Sequence, residues 1–193
     1  FIRTPRGQFI VIDAGPGTKI LDVIGKEMGH FHRTIDLIVV THFDRDHAEG
    51  FLEILKRYEI GSILVQNFRK NSELENVFFL LAAEKKIPVF LARNDQDFDL
   101  SDGLFLDVIF PFSSSLGPVN FSTSVNEYSI VTKIIFQDKK ETKNFLLGTA
   151  DIGFFTENFL LEKGVDLSAY ILKVGHHGSK TSSTELFVQK LAP

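Results

Sequence analysis

The chain contains no cysteine and no tryptophan, and a single methionine, in 193 residues. The absence of cysteine excludes disulfides, thiolate metal sites and a cysteine nucleophile together. Any metal must therefore be held by histidine and carboxylate. Excess basic charge is missing as well: 21 Lys+Arg stand against 25 Asp+Glu, a net charge of −4. Tight non-specific binding to a polyanion is therefore not expected from charge alone. No apolar run approaches the roughly 18 residues of a membrane span, and no basic–apolar–small leader opens the chain. Gly15-Pro16-Gly17-Thr18-Lys19 lacks the spacing of a P-loop, and neither a G-x-G-x-x-G fingerprint nor a nucleophile-elbow serine occurs.

What is present is an ordinary globular composition, 44% hydrophobic and 24% charged, enough to bury a core. The length suits one domain over 1–193. The chain opens at Phe1 without an initiator methionine and stops at Pro193 directly after a helical pattern, so it reads as a domain from a longer protein. Strand-length apolar runs alternate with helical patterns, which predicts an α/β domain. Strands are expected at Gln8–Asp13, Ile35–Thr41, Ser62–Val65, Val89–Ala92, Leu104–Phe110 and Ala169–Val174. A hairpin is expected from Tyr128–Phe136 and Asn144–Leu147 around the charged turn 138–143. Helices are expected over 19–28 (capped by Thr18), 48–57, 73–86, 153–162 and 184–191. The acidic stretch 93–103 and the Ser/Asn/Gly/Pro-rich stretch 111–126 read as turns and loop.

Four of the six histidines fall in two short motifs at strand ends. After the apolar run 35–41 comes His42-Phe43-Asp44-Arg45-Asp46-His47, four ligand-type residues at i, i+2, i+4 and i+5. A regular helix would scatter these side chains, whereas a loop leaving a buried strand can turn them to one centre. Imidazole and carboxylate are ligands that zinc and manganese accept, and the ends of central strands are where open α/β sheets place ligands. The competing reading, a charged loop with Asp46 complementing a helix dipole, explains one carboxylate but not four ligand-type groups. The second motif is Lys173-Val174-Gly175-His176-His177-Gly178-Ser179, in which the flanking glycines give backbone freedom to aim the two rings differently. Alone it is matched by a surface histidine pair. Asp151 in Gly148-Thr149-Ala150-Asp151 and Asp13 before Ala14-Gly15 each end a strand, where an N-cap is the ordinary alternative. His30 and His32, in a turn after the first helix, read as surface residues.

In this order the residues resemble the metallo-β-lactamase superfamily. Asp13 matches its buried orienting aspartate, His42-x-Asp44-x-Asp46-His47 its metal motif, Asp151 the bridging aspartate and His176/His177 the final histidine. The resemblance implies an αββα four-layer sandwich, two mixed sheets between helices. Within the superfamily, Asp44 in the second ligand position is similar to the ComEC-type DNA-internalisation competence proteins. So are Asn126-Glu127-Tyr128-Ser129 and the more specific His176-His177-Gly178-Ser179-Lys180-Thr181-Ser182. Phosphorylcholine esterases of the superfamily also use HxDxDH. One departure stands out: no histidine occurs from 48 to 175, where superfamily enzymes supply one.

The resemblance implies metal ligands His42, Asp44, Asp46, His47, Asp151 and His177 for one or two ions of Zn²⁺ or Mn²⁺. The poorer position, with only His42, Asp44 and the shared Asp151, would be completed by water, Asn126 or Ser124, or by a histidine beyond Pro193. Asp46 or Asp151 would steer the attacking water, His176 would protonate the leaving group, and Asp13 and Asn126 would stand behind the ligands. Ser179 and Lys180 could touch a phosphate, as could Lys139, Lys140, Lys143 and Lys173. The expected function is a DNA phosphodiesterase or nuclease of competence-type uptake. The resemblance further implies a companion membrane-channel domain and a place on the outer face of a bacterial cytoplasmic membrane. The alternatives are a β-lactam or thioester hydrolase of the same fold, and a non-catalytic, metal-stabilised DNA-handling domain.

Overall fold

The computed structural model describes residues 1–29, 32–112 and 124–191. His30 and most of the expected loop over 111–126 lie outside them. The fold is α/β, with two mixed five-stranded sheets and five α-helices among the described residues. The chain divides into two compact units, Phe1–Leu91 and Ala92–Pro193.

The sheet of the first unit runs in chain order: β1 (Ile2–Arg3), β2 (Phe9–Ile12), β3 (Thr34–Val40), β4 (Glu59–Val65) and β5 (Val89–Leu91). Only β1 is antiparallel to its neighbour; β2 to β5 are parallel. The Ile/Val/Leu run of β3 suits a strand covered on both faces, and Ile35, Ile38, Val39 and Val40 are fully buried. Three helices accompany the sheet: α1 (Lys19–Met28), α2 (Arg45–Arg57) and α3 (Glu73–Glu84). Thr18 stands at the N-cap of α1 but makes no capping bond there. Helix α2 starts three residues before the expected position, because Asp44 in extended backbone already serves as its N-cap residue. Ala48, Phe51, Ile54 and Leu55 form its buried face. Ser72 caps α3 through the Glu75 amide (3.2 Å), and the Glu75 carboxylate accepts from the Asn71 amide (2.6 Å) and pairs with Arg69. That reciprocal arrangement satisfies donors a helix start leaves open. Phe43, Phe51, Phe78 and Phe79 pack edge to face or tilted, with centroids 5.2–6.2 Å apart.

The second unit has the strand order β10-β9-β8-β7-β6. Its strands are β6 (Asp97–Asp99), β7 (Leu104–Phe110), β8 (Val131–Gln137), β9 (Thr142–Gly148) and β10 (Ile171–Lys173). The expected hairpin is β8–β9. The edge strand β6 was hidden in the acidic stretch, since Asp97-Phe98-Asp99 alternates over only three residues. Pairing of β10 with β9 is parallel and the rest is antiparallel. Helices α4 (Phe154–Glu162) and α5 (Glu185–Gln189) cover a core of Phe110, Val131, Leu147, Ile152, Leu160 and Phe187. No helix among the described residues is long and apolar enough to cross a membrane.

Candidate metal centre

In the first unit the candidate residues leave the carboxyl ends of neighbouring parallel strands, β2 and β3. Asp13 follows β2 and His42 follows β3 by two residues. The Asp13 carboxylate accepts from the Thr41 amide (2.9 Å) and the Thr41 hydroxyl (2.7 Å), and its Oδ2 lies 2.7 Å from His47 Nδ1. That contact holds the ring by one nitrogen and directs Nε2 away from Asp13. A carboxylate behind an imidazole in this way fixes tautomer and orientation and raises ligand basicity. Asp13 itself sits at φ 52°, a left-handed conformation that costs about 1–3 kcal/mol in a non-glycine residue.

Asp46 and His47 belong to the first turn of α2, not to the loop that the sequence suggests. His42 and Asp44 are the loop members. Phe43 between them is buried against Phe78 and Phe79 and anchors the loop in the core. His42 is fully buried; its Nδ1 lies 3.1 Å from the Thr41 hydroxyl and its Nε2 4.0 Å from Asp44 Oδ2. The His42 and His47 rings lie 4.1 Å apart by centroid, and His47 Nε2 is 4.0 Å from Asp46 Oδ2. Asp44 makes no capping bond; its other oxygen takes the Lys70 ammonium at 2.9 Å. Beside it opens a hollow of about 430 Å³ lined by Asp44, Arg45, Glu49, Lys70 and Leu74. Hydrogen bonds from Arg45 and from the Gly17 amide hold the Glu49 carboxyl below its ordinary range.

The loop after Asp13 is strapped onto α2. The Ala14 amide donates to the His47 carbonyl (2.8 Å) and the Gly50 amide to Gly15 (2.9 Å). A Cβ at Gly50 would stand 2.6 Å from the Ala14 carbonyl oxygen, so only glycine admits this approach. The sequence reading gave Gly50 no role, although it closes the stretch that begins at His42.

In the second unit the parallel register pairs Gly148 with Lys173, so β9 and β10 end side by side. Asp151 and the histidine pair emerge from these adjacent ends. The Thr149 hydroxyl donates to the Lys173 carbonyl (2.7 Å) and the His176 amide to the Ala150 carbonyl (3.0 Å). Asp151 is buried, with Oδ2 3.6 Å from His177 Nε2 and 4.0 Å from His176 Nε2. It is not a helix cap; Gly153 occupies the N-cap of α4. The left-handed backbone expected of the glycines holds at Gly178 (φ 81°) but extends to the histidines themselves, at φ 45° and 53°, with Ala150 also at 45°. Gly175 is needed for closeness instead, since a Cβ there would lie 2.9 Å from the Ile152 carbonyl.

Glu127 does the capping at α4. Its buried carboxylate accepts from the Gly153 amide (3.2 Å), the Thr156 amide (3.0 Å) and the Thr156 hydroxyl (2.7 Å). The sequence singled out its motif but looked to Asn126, which is half-buried and closes the turn Val125–Tyr128 by accepting from the Ser129 amide (3.0 Å). Ser124 and Lys180 are exposed, and Ser179 Oγ lies 3.0 Å from the Thr181 hydroxyl. Lys173 Nζ donates to the Ala150 carbonyl (3.4 Å) and Lys143 pairs with Glu141 (2.7 Å). Lys139 and Lys140 are exposed, as is His32.

Among the described residues, Asp46 and His47 of the first unit, and Asp151 and His177 of the second, are of the types that could hold a metal ion. In each unit a carboxylate and an imidazole stand together, N and O donors that suit Zn²⁺ and Mn²⁺ alike. The donors fit the group on the chemistry of the set and on the Asp13 contact that prepares His47.

No family model matches the chain. The chain is similar to ComE operon protein 3 of Bacillus subtilis (strain 168), 22% identical over 161 residues. The aligned part covers 83% of this chain and 19% of that protein, so the chain spans about a fifth of the relative it matches.

Proposed function

We propose that the chain is a metal-dependent hydrolase, a phosphodiesterase or nuclease acting on DNA in competence-type uptake. The observation that carries the reading is the Asp13–His47 contact at 2.7 Å: a buried imidazole held by one nitrogen has the form of a prepared metal ligand. The likeness to ComE operon protein 3 supports the link to competence. In this reading the two units are halves of one αββα metallo-β-lactamase-like domain. Asp46, His47, Asp151 and His177 hold one ion of Zn²⁺ or Mn²⁺, and His42 and Asp44 offer a second, poorer position. The whole protein carries a membrane channel, with this domain on the outer face of the membrane.

A divalent ion supplies Lewis acidity, making water a nucleophile near neutral pH and offsetting charge on the phosphate oxygens. The chain does the rest. Asp46 or Asp151 takes the proton of the attacking water as its oxygen bonds to phosphorus. The bond from phosphorus to the sugar oxygen breaks, and His176 delivers a proton to that oxygen, leaving a phosphate monoester and a free hydroxyl. Asp13 holds His47 in place throughout, and Ser179 and Lys180 contact a phosphate of the strand.

The experiment is degradation of single- and double-stranded DNA with added Mn²⁺ or Zn²⁺, comparing the chain with Asp46→Ala/His47→Ala. Cleavage that falls to background in the double variant is the expected result; unchanged cleavage refutes the assignment. DNA binding without turnover in the unaltered chain would mark a non-catalytic DNA-handling domain instead.

A further inference from the structure

We infer that Phe154 and Phe155 form a stacking platform for an unpaired base of a single-stranded DNA substrate, an inference that rests on the reading above. The two residues open α4 three and four positions after Asp151. Thr156, Glu157 and Leu160 take the buried face of that helix. Its first two side chains are left to solvent, 42% and 43% exposed. Their rings lie 4.0 Å apart with a 31° tilt. Isolated exposed apolar residues need no explanation; a ring pair just after a candidate ligand in the chain is another matter.

The pair is rigidly tied to the histidine turn. The Phe154 amide donates to the Thr181 carbonyl (3.0 Å), and next along the chain the Ser182 hydroxyl donates to the Gly175 carbonyl (2.7 Å). The Ser179 amide closes onto the His176 carbonyl (2.8 Å). Gly153 cannot carry a side chain without striking Glu127 (2.5 Å) and the Thr181 carbonyl (3.1 Å), so this junction has no slack. The turn to which Phe154 is bonded carries the exposed Lys180, the hydroxyls of Ser179 and Thr181, and the exposed rings of His176 and His177.

An aromatic face beside a cation and hydroxyl donors is the combination that takes a base by stacking and its phosphate by charge. It also answers the net charge of −4. Stacking is largely independent of bulk charge, so a mildly acidic domain can engage DNA where a purely electrostatic groove would fail. The occupant is an unpaired base, because the π-faces of a duplex are covered by their neighbours.

The test uses the metal-free chain and an oligothymidylate carrying one 2-aminopurine, whose fluorescence is quenched on stacking. The unaltered chain is expected to quench it on binding. Phe154→Ala/Phe155→Ala is expected to abolish the quenching and weaken binding at least tenfold, with the melting temperature unchanged. Phe155→Trp is expected to retain both properties. Equal affinity of the alanine variant and the unaltered chain, or binding of a duplex as tightly as the single strand, overturns the inference. Hydrolysis of bis(p-nitrophenyl) phosphate by the unaltered chain with Mn²⁺ reports on the hydrolase reading separately. Turnover without quenching sinks the platform alone, and absence of both sinks the two together.

Discussion

The two units hold their candidate residues in opposite ways. In the first, the imidazoles are buried, His42 and His47 both at or under 2% exposure, and the carboxylate that serves His47 stands behind it. In the second, the carboxylate Asp151 is buried and the imidazoles are open, with the His176 and His177 side chains 40% and 55% exposed. A buried, tethered ring keeps one orientation and one tautomer, which is what a ligand needs. An exposed ring can exchange protons with solvent, which is what an acid needs. In the proposed mechanism the tethered His47 holds and the exposed His176 reacts.

That asymmetry can be broken from either side. His176→Gln should lower kcat about 10²–10⁴-fold on a substrate with a poor leaving group, by the usual worth of general acid catalysis, and flatten the alkaline limb of the pH–rate profile. Metal affinity should be unchanged. If His176→Gln instead loses metal and keeps its pH profile, the roles of His176 and His177 are exchanged. Asp13→Asn should cost about 10–100-fold in metal affinity, the usual worth of an outer partner of a ligating histidine. A titration with Mn²⁺ checks this, and an unaltered affinity would remove Asp13 from the account. Gly50→Ala forces the Ala14 carbonyl away from α2 and should cost about 1–3 kcal/mol of stability, read in chemical denaturation.

The smallest expected effect lies within the second unit and is read by pH. Burial, a hydrogen bond to Asp97 directly across β6–β7 and the charge of Asp97 raise the Asp107 carboxyl to about 6, with Lys133 opposing. A folded-state value above the ordinary 3.8 means stability fully present below about pH 4 and lost as pH rises through 6. Burial opposes ionisation of nearby Asp166, but the Ser168 hydrogen bonds and Lys133 prevail and hold it at about 2. Its contribution is therefore present above 3.8 and lost only as pH falls through 2. Between pH 4.5 and 7, Asp107→Asn should lose less stability than the unaltered chain; parallel curves would show that the Asp97–Asp107 pair is not coupled to folding.

Much of this was legible beforehand, for physical reasons. Helix α1 and strand β7 were read to the residue, and β3 shifted by one, because long apolar or amphipathic runs overdetermine their structure. The start of α2 is not legible, since ligand-type residues at Asp46 and His47 also occupy its first helical turn. Strand β6 was lost because three alternating residues carry too little pattern. Motif positions could be marked from residue type and spacing. What supports them could not: Gly50 matters only when Ala14 lies against it, and Glu127 only when the start of α4 folds onto it. Nothing in the residue type or spacing of Lys133 marks it as buried and paired with Asp166.

The central proposal is that Asp46, His47, Asp151 and His177 hold one ion, and metal binding tests it without reference to any substrate. Free Mn²⁺ is followed by electron paramagnetic resonance while it is titrated into the unaltered chain, Asp46→Ala/His47→Ala and Asp151→Ala/His177→Ala. Each double variant should lose tight binding while keeping its melting temperature in the absence of metal. Binding as tight as that of the unaltered chain in either variant would contradict the shared centre.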